Sequence, residues 1–248
     1  MSSRTRRTDE GHGRLGSVLS GVAVALGCVL FLGGFVWGAV LYQPYTVPTG
    51  SMTPTIGAGD RVLAQRIDGD DVRRGDVVVF RQKSWGNLPM VKRVVGIGGD
   101  KVACCTDGKL TVNGKQIAEP YLSRGMDSAI PSTTVPKGRL FLLGDERNGS
   151  LDSTAHLEEA GNGSVPRSAV KGRVDAVAWP LDGMLDRPTG FDALPGGTSE
   201  PGPLRLLVAA VVAGAALVLG GAAYGPVAGL VRRGGRDRSG VTETAGVG

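Results

Sequence analysis

Ser51 lies in the segment Val47-Pro48-Thr49-Gly50-Ser51-Met52-Thr53-Pro54-Thr55, next to Gly50 and three residues before Pro54. These neighbours stiffen and extend the backbone while leaving room for another chain, a good setting for a nucleophile. Pro, Thr, Gly and Ser also make ordinary surface turns, so the segment gains meaning only if another residue can remove the serine's proton. Histidine is the usual partner, and the chain has two. His12 belongs to a basic N-terminal tail, and His156 sits in a loop rich in Gly and Glu, where a solvated side chain is expected. Lysine is the other route. Its amine, with an ordinary pKa of about 10.4, becomes a usable base near neutrality only when desolvation or neighbouring positive charge lowers that value. In Pro89-Met90-Val91-Lys92-Arg93-Val94-Val95, a strand points Met90, Lys92 and Val94 to one face and Arg93 to the other. Lys92 then has apolar neighbours, which suits a neutral amine. A lysine there can also snorkel to water, and both readings stand at this point.

A third polar stretch is Gly144-Asp145-Glu146-Arg147-Asn148-Gly149-Ser150-Leu151-Asp152-Ser153. A calcium loop needs oxygen ligands at alternate positions, and Arg147 stands where one should be. Asp145, Arg147, Asn148, Ser150 and Asp152 read instead as a hydrogen-bonded scaffold, in which Ser150 and Asp152 can orient a lysine amine. A plain polar turn is the simpler reading. Gly96-Ile97-Gly98-Gly99-Asp100 lacks the βαβ setting of a dinucleotide site and is treated as a turn. The three cysteines, Cys28, Cys104 and Cys105, have no zinc-type spacing and make no disulfide framework. Adjacent cysteines can close only a strained ring, so the oxidation state of Cys104 and Cys105 is open. No metal or cofactor is expected.

Two apolar runs must position this chemistry. Leu15 to Leu41 and Leu206 to Val231 contain no charged side chain, and each exceeds the roughly 20 residues that span a hydrocarbon core. The first is too long for a cleavable signal, whose apolar core is about 7 to 15 residues. It is read as an uncleaved anchor. Arg4, Arg6, Arg7 and Arg14 precede the first run and Arg232, Arg233, Arg236 and Arg238 follow the second, which places both termini in the cytoplasm by the positive-inside rule. The expected division is a basic tail 1–14, a membrane helix 15–41, an external domain 42–180, a linker 181–205, a membrane helix 206–231 and a basic tail 232–248. Much of the net charge of +5 sits in those tails, where it needs only anionic lipid as a partner; no base-reading motif points to nucleic acid.

Between the runs, short strands alternate with Gly and Pro punctuation and no long amphipathic helix, which argues for an all-β external domain. Strands are expected at Tyr42 to Pro48, Gly59 to Ala64, Gly75 to Phe80, Pro89 to Ile97, Gly138 to Leu143 and Ala169 to Trp179. Asn113-Gly114 between β-formers is a strong hairpin signal. Arg124 to Thr134 reads as loop, and Leu181 to Pro203 as a flexible or surface-hugging linker.

Taken in order, these segments resemble the bacterial branch of the type I signal peptidase family, over about Tyr45 to Pro180. Pro48 to Thr55 is similar to the family's nucleophile box, Arg74 to Phe80 to its following strand, Lys92-Arg93-Val94-Val95-Gly96 to its general-base box and Gly144 to Ser153 to its final box. The resemblance implies a mainly β fold of coiled antiparallel sheets flanked by two transmembrane helices. It implies a membrane-bound serine endopeptidase that removes signal peptides of Ala-x-Ala type from exported preproteins. Ser51 is then the nucleophile and Lys92 the general base. Thr49 and the Ser51 N–H form the oxyanion hole, Ser150 and Asp152 hold the lysine, and Tyr45, Val47 and Val91 line the substrate pockets. Three residues depart from the family's pattern: Glu146 for a common Asn, Thr154 for a frequent Arg, and Gly98 for a common Pro. The first two put the ion pairing around Asp152 in doubt. The second membrane helix is found in only some members. The rival of another class is a membrane-tethered β domain that binds exported chains without cutting them.

Overall fold

A computed structural model describes residues 9–106 and 108–239. The described chain divides into two compact units, one made by two helices and one by Leu41–Gly202. The helices are α1 (Asp9–Leu41) and α2 (Leu204–Ser239). Gly16–Leu41 and Leu204–Tyr224 are long and apolar enough to cross a membrane, with mean hydropathies of 2.3 and 2.4. They run antiparallel along small residues. A side chain at Gly27 would meet the Gly214 carbonyl at 2.8 Å, Gly34 lies against Leu207, Ala210 and Val211, and Ser20 Oγ donates to the Gly221 carbonyl at 2.7 Å. Close backbone approach of this kind gives apolar helices dispersion contacts where hydrophobic burial offers nothing. Arg4, Arg6, Arg7 and the outer parts of the expected tails lie outside the described residues. So do the side chains of Arg14, Arg232, Arg233, Arg236 and Arg238.

The second unit is mainly β. Its strands are β1 (Tyr42–Thr46), β2 (Arg61–Gln65), β3 (Val77–Arg81), β4 (Pro89–Ile97), β5 (Lys101–Thr106), β6 (Lys109–Val112), β7 (Lys115–Gln116), β8 (Ile130–Thr134), β9 (Arg139–Leu143), β10 (Val165–Pro166), β11 (Val170–Trp179) and β12 (Gly183–Met184). The large sheet has the order β1-β2-β11-β3-β4-β9-β10, with β12 added beside β11; the small sheet has the order β7-β6-β5-β8. Every pairing is antiparallel.

Period-two alternation explains why β3 and β4 are central. Val77 and Val79 face one apolar cluster with Met52, Ile56 and Val91, while Val78 and Phe80 face another with Val94, Leu140 and Leu142. A strand buried on both faces reads as a continuous apolar run, as Val77 to Phe80 does. On β9, Phe141 and Leu143 alternate away from Leu140 and Leu142 into a third cluster that reaches the small sheet through Val102, Leu110 and Ile130. Asn113 and Gly114, with φ of 55° and 78°, close the β6–β7 hairpin as their types require.

One expectation changed, and of the two readings of the linker the surface-hugging one holds. Ile130 to Thr134 is a strand rather than loop: Ile130 and Thr133 are buried, and Pro131 is tolerated because β8 is an edge strand. The segment expected as a linker packs closely on the β unit. It adds β12, buries Phe191 and Leu194 in the third cluster and donates Ser199 Oγ to Asp76 Oδ2 at 2.6 Å. At its end Gly202 lies against the side-chain ends of Asp175, Gln65 and Tyr42, and Tyr42 Oη donates to Asp175 Oδ2 at 2.8 Å. The two ends of the unit, at Tyr42 and Gly202, therefore meet.

Candidate active site

The loop from β1 to β2 is closed on itself before any chemistry is considered. Val47 N–H donates to the Asp60 carbonyl at 2.8 Å and Gly59 N–H to the Val47 carbonyl at 2.7 Å. Met52 and Ile56, both fully buried, pair across a one-turn bridge and anchor the loop in the core. Ser51 rides on this anchored turn. Lys92 sits in the middle of β4, opposite Val78 of β3, with Met90 and Val94 on its own face packed into the apolar cluster.

These two elements bring Lys92 Nζ to 2.6 Å from Ser51 Oγ. The lysine is only 3% exposed. Burial lowers its pKa from the ordinary lysine value, opposed by the negative charges of Asp152 and then Asp145. A lysine so placed does not snorkel. Thr49 Oγ1 donates toward Ser51 Oγ at 3.3 Å.

The Gly144 to Ser153 stretch forms the wall behind this pair. Glu146 N–H donates to the Ser51 carbonyl at 3.1 Å, and a Cβ at Gly144 would collide with that same carbonyl and with the Ser150 side chain. Gly144 is thus required by close approach rather than by its φ. Asp152 accepts from Gly144 N–H at 2.9 Å and from Thr154 N–H and Oγ1 at 3.1 and 2.8 Å. Thr154, at the position where the resemblance leads to an expected arginine, therefore supplies a hydroxyl to the carboxylate. Ser150 Oγ is buried beside Gly144 and makes no hydrogen bond among the described residues. Gly98, in place of a common Pro, lies 2.9 Å, measured from where its Cβ would stand, from the Lys137 backbone.

Tyr45, Val47 and Val91 belong with Met52, Ile56 and Val62 to one apolar cluster; Val47 and Val91 are buried, and Tyr45 is half-buried. His156 is not the solvated side chain expected. It stacks on Trp85 with ring centroids 4.3 Å apart, its Nδ1 is 2.5 Å from Glu159 Oε1, and none of its contacts reaches Ser51 or Lys92. Cys104 and Cys105 are bridged to one another in β5. Among the described residues no three His, Cys, Asp or Glu side chains are grouped to hold a metal ion.

The geometry adds residues that the sequence did not single out. Arg93, on the face of β4 away from Lys92, makes a two-pronged pair with Asp145, Nε to Oδ1 at 2.8 Å and Nη2 to Oδ2 at 2.7 Å, and lies 4.0 Å over the Tyr121 ring. Thr55 Oγ1 donates to the same Asp145 at 2.5 Å, tying the serine loop into the pair. Arg147 pairs with Glu119. Asp145 and Arg147 had some signal as members of a polar scaffold. Glu119 and Tyr121 had none, since their partners lie 28 residues away or more.

Residues 18–179, well over half of the chain, match the family model described as signal peptidase, peptidase S26. A signal peptidase I of Mycobacterium tuberculosis is 31% identical over 233 residues, covering 72% of this chain and 78% of that one. A signal peptidase IB of Staphylococcus aureus is 33% identical over 180 residues, covering 64% and 88%. A solved signal peptidase I from Enterococcus faecalis is 27% identical, with 41% of this chain and 94% of that one covered and a TM-score of 0.35.

Proposed function

Because the chain belongs to the peptidase S26 family of signal peptidases and is a serine protease of that family, we propose that it cleaves signal peptides from exported preproteins with a Ser51–Lys92 dyad. The observation that carries this reading is the 2.6 Å approach of Lys92 Nζ to Ser51 Oγ, with the amine buried. Neutral Lys92 takes the hydroxyl proton as Ser51 Oγ attacks the scissile carbonyl carbon. The resulting oxyanion is met by the Ser51 N–H and, after rotation away from Ser51, by the Thr49 hydroxyl. Lys92 gives its proton to the departing amine, the peptide bond breaks, and the signal peptide is left as an ester on Ser51. Water, deprotonated by the same amine, then hydrolyses the ester. Asp152 acts on the amine through its charge, whereas Ser150 Oγ makes no hydrogen bond to it.

Tyr45, Val47 and Val91, which share one apolar cluster with Met52 of the serine loop, would line the pockets that take Ala-x-Ala ends. The two apolar helices anchor the enzyme, with both termini cytoplasmic and the β unit on the outer face, where the substrate is itself held in the bilayer. Confining both partners raises their effective concentration. The test is cleavage of a precursor by purified protein carrying Ser51→Ala or Lys92→Ala. Both should be inactive while folded, and a variant that cuts at the parental rate removes its residue from the mechanism.

A further inference from the structure

Resting on the Ser51–Lys92 reading, we infer that Glu119 is a positioning residue for the reaction, holding from the segment after the β6–β7 hairpin both the turn behind Ser51 and the strand that carries Lys92. Glu119, Pro120 and Tyr121 follow the β6–β7 hairpin. The Glu119 carboxylate takes Arg147 with both oxygens, Nη2 to Oε1 at 2.7 Å and Nη1 to Oε2 at 2.9 Å, and its Oε1 also accepts from Tyr121 Oη at 2.6 Å. The Arg147 and Glu119 side chains are 2% and 7% exposed, so water does not weaken the pair.

Two arms leave this carboxylate. In the first, Arg147 Nε donates to the Gly144 carbonyl at 2.9 Å. Gly144 packs on the Ser51 carbonyl, and its N–H holds Asp152, the charge that acts most on Lys92. In the second, the Tyr121 ring lies under the Arg93 guanidinium, and Arg93 is the neighbour of Lys92 and the partner of Asp145, which also holds Thr55 of the serine loop. Burial, with Glu119 adding to it, pushes the Tyr121 phenol well above its ordinary pKa, so Tyr121 remains a donor to Glu119 at working pH. The contact is not needed to join the sheets. Phe141 and Leu143 already share an apolar cluster with Val102, Leu110 and Ile130. What Glu119 adds is direction: one carboxylate fixes a backbone carbonyl on the serine side and a ring on the lysine side.

The experiment compares Glu119→Gln, Tyr121→Phe and Lys92→Ala in the full chain, purified in detergent, for kcat, KM, pH–rate profile and unfolding midpoint with a precursor substrate. Misplacement of reacting groups by about 1 Å costs on the order of a hundredfold. Glu119→Gln should therefore lose roughly 10- to 100-fold in kcat with little change in KM. Its rising pH limb should move to higher pH, because a slackened wall admits water to Lys92 while Asp152 and Asp145 remain opposite it. Tyr121→Phe, which keeps the ring and removes one hydrogen bond, should show a smaller loss of the same kind and keeps the question answerable if Glu119→Gln does not fold. Parental kcat and pH limb in folded Glu119→Gln, or in Tyr121→Phe where the former is unfolded, overturn the inference. So does a rate loss no larger than the unfolded fraction. A Lys92→Ala chain with the parental rate overturns the dyad and this inference together, whereas inactive Lys92→Ala beside parental Glu119→Gln overturns this inference alone.

Discussion

Replacing Asp145 by Asn tests how much the wall behind the dyad depends on charge. The substitution keeps the side chain's size and one acceptor oxygen but removes the negative charge from a pair whose side chains are 1% and 0% exposed. Arg93 is left with a buried cation that retains the Gly75 carbonyl, at 2.9 Å, as an acceptor. Removing one member of a buried pair costs about 3–5 kcal/mol, because the other charge stays desolvated. Domains have net stabilities of about 5–15 kcal/mol, so this is a large share. At about 2–4 °C per kcal/mol for a domain of this size, the unfolding midpoint should fall by about 6–20 °C. Thermal unfolding in detergent, followed by near-UV circular dichroism, reads this directly. The double variant Arg93→Met with Asp145→Leu supplies the control, since an apolar pair of similar volume avoids the stranded charge and should recover most of the loss. A midpoint for Asp145→Asn within about 2 °C of the parent, under about 1 kcal/mol, would refute the reasoning. A double variant as unstable as the single one would show that packing, and not charge, is at stake.

The remaining predictions concern the dyad. Burial depresses the Lys92 pKa in the folded chain, so between that value and about 10.4 the unfolded chain binds the extra proton. The contribution of this group to stability is thus full above about 10.4 and is lost as pH falls through the folded pKa. Lys92→Met should be inactive yet gain stability relative to the parent below that window, with the gap narrowing toward pH 10; a gap independent of pH in unfolding measurements would refute this. Activity of the parent should rise with pH over the range in which Lys92 sheds its proton. Thr49→Val should lose about 10²–10³-fold in kcat, the usual cost of one oxyanion donor, while Thr49→Ser stays near the parent. A kcat for Thr49→Val within threefold of the parent would remove Thr49 from that role.

The elements that carry Ser51 and Lys92 were legible because their information is local. Val77 to Phe80 is a short continuous apolar run opened by Gly75-Asp76, Met90, Lys92 and Val94 recur at the period of a strand within Pro89 to Ile97, and Asn113-Gly114 can take the positive φ that its hairpin demands. The facing directions of Lys92 and Arg93 also follow from neighbours in sequence. What was not legible depends on contacts between distant residues. Nothing around Glu119 or Tyr121 reports that Arg147 and Arg93 will be their partners. Ile130 to Thr134, with Gly125, Ser128 and Pro131 around it, reads as loop until β5 offers an edge to pair with. His156 looked solvated because its own loop is polar; the stacking surface comes from Trp85, 71 residues earlier. Leu181 to Pro203 lacks periodicity, so the burial of Phe191 and Leu194 shows only in three dimensions.

The meeting of Tyr42 and Gly202 bears on how such an enzyme can change over evolutionary time. A domain whose ends lie together can be inserted between two segments, or released from one of them, without rearranging its interior. The chain that leaves Gly202 does so beside the point where it arrived, through contacts with Asp175 and Gln65 that belong wholly to the β unit. Gain or loss of a C-terminal helix therefore changes attachment while leaving the positions of Ser51 and Lys92 untouched.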